Sequence, residues 1–186
     1  MPQLTITEAL QEIKTIGKRL DKKRAAAAQY LARDARARDP LEKDGGSAKF
    51  ISEERQAIAD LETRVISIRT HIQRSNLGAS LTVGSKSRSV AEWLTWRREI
   101  STGQGQFLAA MTQGLKRIRD EAVKKGGKLI AAAVAVNESF DPNGPPEIIV
   151  NIDERKLISE QEDLETTLGD LDGKLSLFNA TTVIDV

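Results

Sequence analysis

Ile58, Leu61, Val65, Ile68 and Ile72 recur at steps of three, four, three and four through an otherwise polar stretch. That period puts all five on one stripe of a helix and little else beside them. A helix of this kind has one stable use, which is to lay its narrow seam against other helices. The last third of the chain repeats the pattern: Leu157, Leu164, Leu168, Leu171, Leu175 and Phe178 step by seven, four, three, four and three. Two Trp, one Tyr and four Phe in 186 residues cannot fill a thick globular core, while 30% of the residues are charged. The expectation is a mainly α chain: an elongated antiparallel helical bundle or coiled coil of about four helices, forming one domain over 1–186.

Local signals set the helix boundaries. Thr5 and Glu8 form a capping box, in which Thr5 accepts from the backbone of residue 8 and Glu8 reaches back. Behind it Ile6, Leu10, Ile13, Ile16 and Leu20 define a face. Four alanines at 25–28 carry the helix on until Pro40 blocks it, so the spacing predicts a helix over 5–38. Residues 39–49 (DPLEKDGGSAK) read as an exposed loop. Ser52 is placed as the cap of a second helix over 52–75. Ser89 and Glu92 form another capping box and open a third over 90–125, with Trp93, Leu94, Ile100, Phe107, Met111, Leu115, Ile118 and Ala122 as its seam. Gly103 and Gly105 predict a kink there, and Gly126 and Gly127 end it. Asp153 starts the last helix, over 154–178.

Two segments read as strands. Residues 80–90 (SLTVGSKSRSV) form a short β-hairpin about a Gly-Ser-Lys turn. Residues 129–136 (LIAAAVAV) and 148–152 (IIVNI) predict a longer hairpin arm over 129–152, inserted between helices three and four. Its tip carries Glu138, Asp141 and Glu147 together with Pro142, Pro145 and Pro146, which argues against crossing a bilayer. The apolar run at 129–136 is eight residues, against the ~20 a membrane-spanning helix needs. No basic-then-apolar leader opens the chain, so the expectation is synthesis in the cytoplasm without a signal peptide.

Composition removes most enzyme chemistry. There is no Cys, which excludes disulfides, thiolate metal sites and a Cys nucleophile, and there is a single His. His71 has no His or carboxylate four residues away on either side and is read as a surface or seam residue. Gly103 and Gly105 lack the Lys-Ser/Thr pair of a phosphate loop, and Gly84 to Ser87 lacks the required preceding glycine. Glu160, Glu162, Asp163 and Glu165 read as the solvated face of a leucine-seamed helix. No catalytic, cofactor or metal residue is assigned, and the chain is expected not to be an enzyme.

Charge is balanced, at +1, but segregated. Residues 13–38 carry nine Lys/Arg and two Asp; residues 153–172 carry eight Asp/Glu and two Lys/Arg. Nucleic-acid binding calls for net positive charge or interleaved aromatics, and neither is present. The basic first helix and the acidic last one would complement each other if they pack side by side.

The order of these elements resembles the septicolysin-like family, small helical proteins of bacteria and phages. The likeness rests on LTITEAL at 4–10 followed by KRL at 18–20, IQRSN at 72–76, SVAEWL at 89–94 with Arg97 and Arg98, VNID at 150–153 and LDGKLSLFN at 171–179. It covers most of the chain. The sequence departs from the family's pattern in having Phe178, Asn179 and Ala180 where an Asn followed by an aromatic is expected, and in its longer, Pro-rich hairpin tip. The family offers no catalytic residues to carry over; its toxin-like name implies membrane damage.

Partner contacts are the remaining candidates. Trp93 and Trp96 share a helical face, and tryptophan is enriched where proteins bind one another; equally, the pair can seal the end of the bundle against the 80–90 hairpin. The first strand of the 129–152 arm is apolar on both faces and needs covering. Leu129, Ile130, Val134, Val136, Ile148 and Val150 are therefore assigned, with Trp93 and Trp96, to binding other protein subunits. The function expected is that of a non-enzymatic structural or assembly protein: a bacteriophage virion component in a homo-oligomer or viral assembly. The alternative is a septicolysin-like membrane-active or pore-forming protein.

Overall fold

The computed structural model describes residues 3–131 and 144–186, and the chain is mainly helical with short strand pairs. It divides into two compact units, Met1–Ser80 with Lys174–Val186 and Leu81–Gly173.

The first unit is built on helices α1 (Ile6–Gln29) and α2 (Ser47–Gly78). Lys23 meets Glu54 at 2.9 Å and Glu12 meets Arg64 at 2.9 Å, so the two run antiparallel. Ile6, Ile16 and Leu20 bury against Ile68 and Ile72, flanked by Ile13, Ile58, Leu61 and Val65, as the spacing predicts; Leu10, placed on the same face, is exposed, and Ala9 is buried instead. Strand β1 (Gln3–Thr5) pairs antiparallel with the chain's last strand, Val183–Asp185, bringing Leu4 opposite Ile184. Ile184 and Val186 thereby join the α1–α2 core. This pairing joins the two ends of the chain, which no local pattern reports.

Helix α1 stops at Gln29, short of the predicted residue 38. Its apolar stripe ends at Leu20, and Leu31 beyond it has nothing to bury against and is exposed. Asp34 instead accepts from the backbone of Arg36 at 2.9 Å, a local turn that competes with helix. Tyr30, at the helix end, packs edge-on against Phe50 with ring centres 5.3 Å apart.

The second unit opens with β2 (Ser80–Val83) and β3 (Lys86–Ser89), joined by the two residues Gly84 and Ser85 as the hairpin reading expects. Helix α3 (Val90–Thr95) follows, then a π-helical turn over Trp96–Ile100, then α4 (Ser101–Lys124). Gly103 and Gly105, where the sequence predicts a kink, lie inside the unbroken span of α4. The irregularity is the π turn, where the amide of Ser101 reaches back five residues to the Trp96 carbonyl. One inserted residue rotates everything after it by about 100°. Ser101 and Leu108 therefore bury, whereas Ile100 and Phe107, placed in the seam by the sequence, are exposed.

The 129–152 arm is corrected as well. Strands β4 (Lys128–Ala131) and β5 (Glu147–Val150) pair in parallel, with Leu129 opposite Ile148 and Ile130 opposite Ile149. A hairpin joins antiparallel strands; a parallel pair requires a crossover of roughly a dozen residues or more. An apolar run marks a strand that needs covering on both faces but does not state which way its neighbour runs. Lys128 and Glu147 close the pair with an ion pair at 2.8 Å. Asp153 then caps α5 (Glu154–Thr181), accepting from the amide of Arg155 at 2.9 Å. Leu157, Leu171 and Leu175 of its predicted seam are buried. Helix α5 gives residues to both units.

Candidate interaction surface

Both capping boxes form as read. Glu8 accepts from the Thr5 amide at 2.8 Å and the Thr5 hydroxyl accepts from the Glu8 amide at 3.2 Å; Ser89 and Glu92 repeat the geometry at the same distances. The backbone and hydroxyl of Thr5 hold the Glu8 carboxyl below its ordinary range, and the Ser89 hydroxyl and amide do the same for Glu92. These carboxylates are committed to helix starts.

His71 is half-buried, with Nδ1 2.8 Å from the Ser67 carbonyl one turn back. Among the described residues there is no group of three or more His, Asp or Glu that could hold a metal ion. No helix among them is long and apolar enough to cross a membrane.

The basic segment and the acidic one belong to different units, and each has ion pairs within its own. Lys23 and Arg24 pair with Glu54 and Glu62 of α2. Asp172 grips Arg97 through two bonds of 2.9 and 3.0 Å, and Glu154 pairs with Arg119. Lys23–Glu54 is part-buried; the other pairs are exposed and contribute at most about 1 kcal/mol each, so they tune rather than build the fold.

The assigned partner residues divide. Trp93 is 1% exposed; its Nε1–H donates to the Leu81 carbonyl at 2.9 Å, and the Arg88 guanidinium stacks 5.0 Å over its ring. It pins the hairpin to α3, the sealing role. Trp96 meets it edge-on at 5.5 Å but remains half-buried, and its own Nε1–H has no partner among the described residues. Ile130 is buried, whereas Leu129, Ile148 and Val150 are half-buried. Val134 and Val136 lie outside the described residues. Ile149, which the sequence reading passed over, is 53% exposed on β5.

An open groove in the second unit gathers Trp96 with residues not assigned from the sequence. One wall is the hairpin with Lys86 and Arg88, the other is α5 with Glu160 and Asp163, and Trp96 and Phe107 lie among its lining. Phe107 is 64% exposed. The π turn hid this site from periodicity, because it moves Phe107 off the buried seam. Compared with protein-family models, curated proteins and solved structures, the chain matches none. The arrangement offers apolar surface, strand edges and charge, which is the chemistry of binding.

Proposed function

We propose that the chain is a non-enzymatic structural or assembly protein acting through contacts with other protein subunits, most concretely a bacteriophage virion component such as a capsid, neck or tail accessory subunit. The observation that carries this reading is the β4–β5 pair. Parallel strands normally sit within larger sheets covered on both faces, and a two-stranded sheet is marginal alone. Here two apolar parallel strands have no third strand among the described residues, and Ile149 faces outward. A strand from another subunit would satisfy an open edge and cover the apolar side chains together. Long helices with narrow seams and a balanced net charge suit a subunit of a symmetric array, and the resemblance to septicolysin-like proteins of bacteria and phages belongs to the same proposal.

Light scattering on the purified protein tests it. The expected result is an assembly larger than one chain that Ile149→Lys reduces in order without changing helix content, since the side chain already faces outward. A wild-type protein that is monomeric at every concentration overturns the reading. Release of dye from liposomes by the monomer would favour membrane activity in its place.

A further inference from the structure

Resting on the assembly reading, we infer that the groove between the β2–β3 hairpin and α5 is a self-complementary contact for a second copy of this chain. The argument is from charge and symmetry. Lys86 and Arg88 put two cations on one wall, and Glu160 and Asp163 put two carboxylates on the other. None of the four forms an ion pair among the described residues, although Arg88 stacks over Trp93, in contrast to Arg97, Arg119, Asp172 and Glu154 of the same unit, which are paired. Trp96 and Phe107 add uncovered aromatic surface to the same groove, including an indole N–H without a partner.

A two-fold axis running along the groove, midway between its walls, exchanges them. The cationic wall of each copy then meets the acidic wall of the other, and Phe107 of one copy covers the aromatics of its mate. Each contact is made twice. An aromatic centre with a charged rim is also the distribution of energy in tight interfaces. A patch of one sign would repel its own copy; this one attracts it.

Charge reversal makes the test specific. Lys86→Glu with Arg88→Glu gives a chain acidic on both walls, and Glu160→Lys with Asp163→Lys gives one basic on both. Each alone is expected to weaken self-association at least ~10-fold, equivalent to about 1.4 kcal/mol. Mixing the two is expected to restore association as a one-to-one heterodimer, because every rim contact is then between opposite signs. Sedimentation reads all three, and circular dichroism checks that each variant retains its helices. Phe107→Ser, at an exposed position, removes the aromatic centre without touching a charge and is expected to weaken the dimer similarly. If the wild type assembles but the reversed chains and Phe107→Ser do so equally well, this contact is overturned and the assembly reading stands. If the wild type does not associate, both fall.

Discussion

Asp39 holds Ser47 with both carboxylate oxygens: Oδ2 accepts from the Ser47 amide at 3.0 Å and Oδ1 from its hydroxyl at 2.6 Å. Oδ1 also accepts from the Leu41 amide at 2.9 Å. The start of α2 is thus fixed by a side chain eight residues upstream, and the helix begins at Ser47 rather than at the predicted Ser52.

These bonds stabilise the ionised carboxylate, with the Ser47 hydroxyl the largest contributor, and pull the Asp39 pKa down to about 2, against an ordinary ~3.9. Because the folded value is the lower one, the cap's contribution is complete above the unfolded pKa. It is lost as pH falls from about 4 through about 2. Amide exchange at residues 47–50, corrected for intrinsic rates, is expected to speed up across that window while residues 65–72 stay protected. Asp39→Ala should produce the same local loss at neutral pH. Unchanged protection in both experiments would mean the cap is not holding the helix start.

Neighbouring isoleucines in α2 should separate burial from composition. Ile68 is 0% exposed and Ile66 is 66% exposed. Ile68→Ala removes packed methyl groups and leaves a cavity, at an expected cost of about 2–5 kcal/mol, whereas Ile66→Ala should stay within about 0.5 kcal/mol. Chemical denaturation measures both. Equal losses would show that the seam is assigned to the wrong face.

How much of this was legible depended on range. The capping boxes at Thr5 and Ser89 were readable because donor and acceptor lie three residues apart. The α2 seam was readable because its period is local. Asp39 capping Ser47 was not, since no periodicity links a loop carboxylate to a helix eight residues on. The π turn at 96–100 was equally hidden: its effect is a rotation, and Ile100 and Phe107 look like seam residues until Ser101 and Leu108 are seen buried in their place. Strand direction at 128–131 and 147–150 was not read, since a continuous apolar run does not state which way its partner runs. The groove followed the π turn into obscurity, and its acidic wall read as ordinary solvated helix.

The two tryptophans should respond differently to solvent. Trp93 is buried and hydrogen-bonded to Leu81, while Trp96 is half-buried beside the groove. Trp96→Phe is expected to remove most of the acrylamide-quenchable fluorescence and to leave stability nearly unchanged. Trp93→Phe should retain that quenchable signal and cost about 1–3 kcal/mol, because it orphans a carbonyl and loses packed area. The reverse assignment of quenching would mean that the hairpin does not close over Trp93.

Gly126 and Gly127 end α4 and launch β4, and they should fail in different ways. Gly126 has φ 67°, the left-handed conformation, and its amide bonds to the Val123 carbonyl at 3.0 Å while that of Gly127 bonds to Ala122 at 2.8 Å. This is the paired-bond stop that a glycine permits. Gly126→Ala is therefore expected to cost about 1 kcal/mol through strain at the helix end. Gly127 has a different constraint: a Cβ there would run into the Pro146 carbonyl, the group that accepts from the Lys128 amide at 3.1 Å and leads into β5. Gly127→Ala should push the two strands apart at the end where their pairing begins. Amide exchange at 148–150 is expected to rise sharply in this variant and much less in Gly126→Ala. Similar exchange in both would place the β4–β5 pairing under the control of the helix stop rather than the close approach at Pro146.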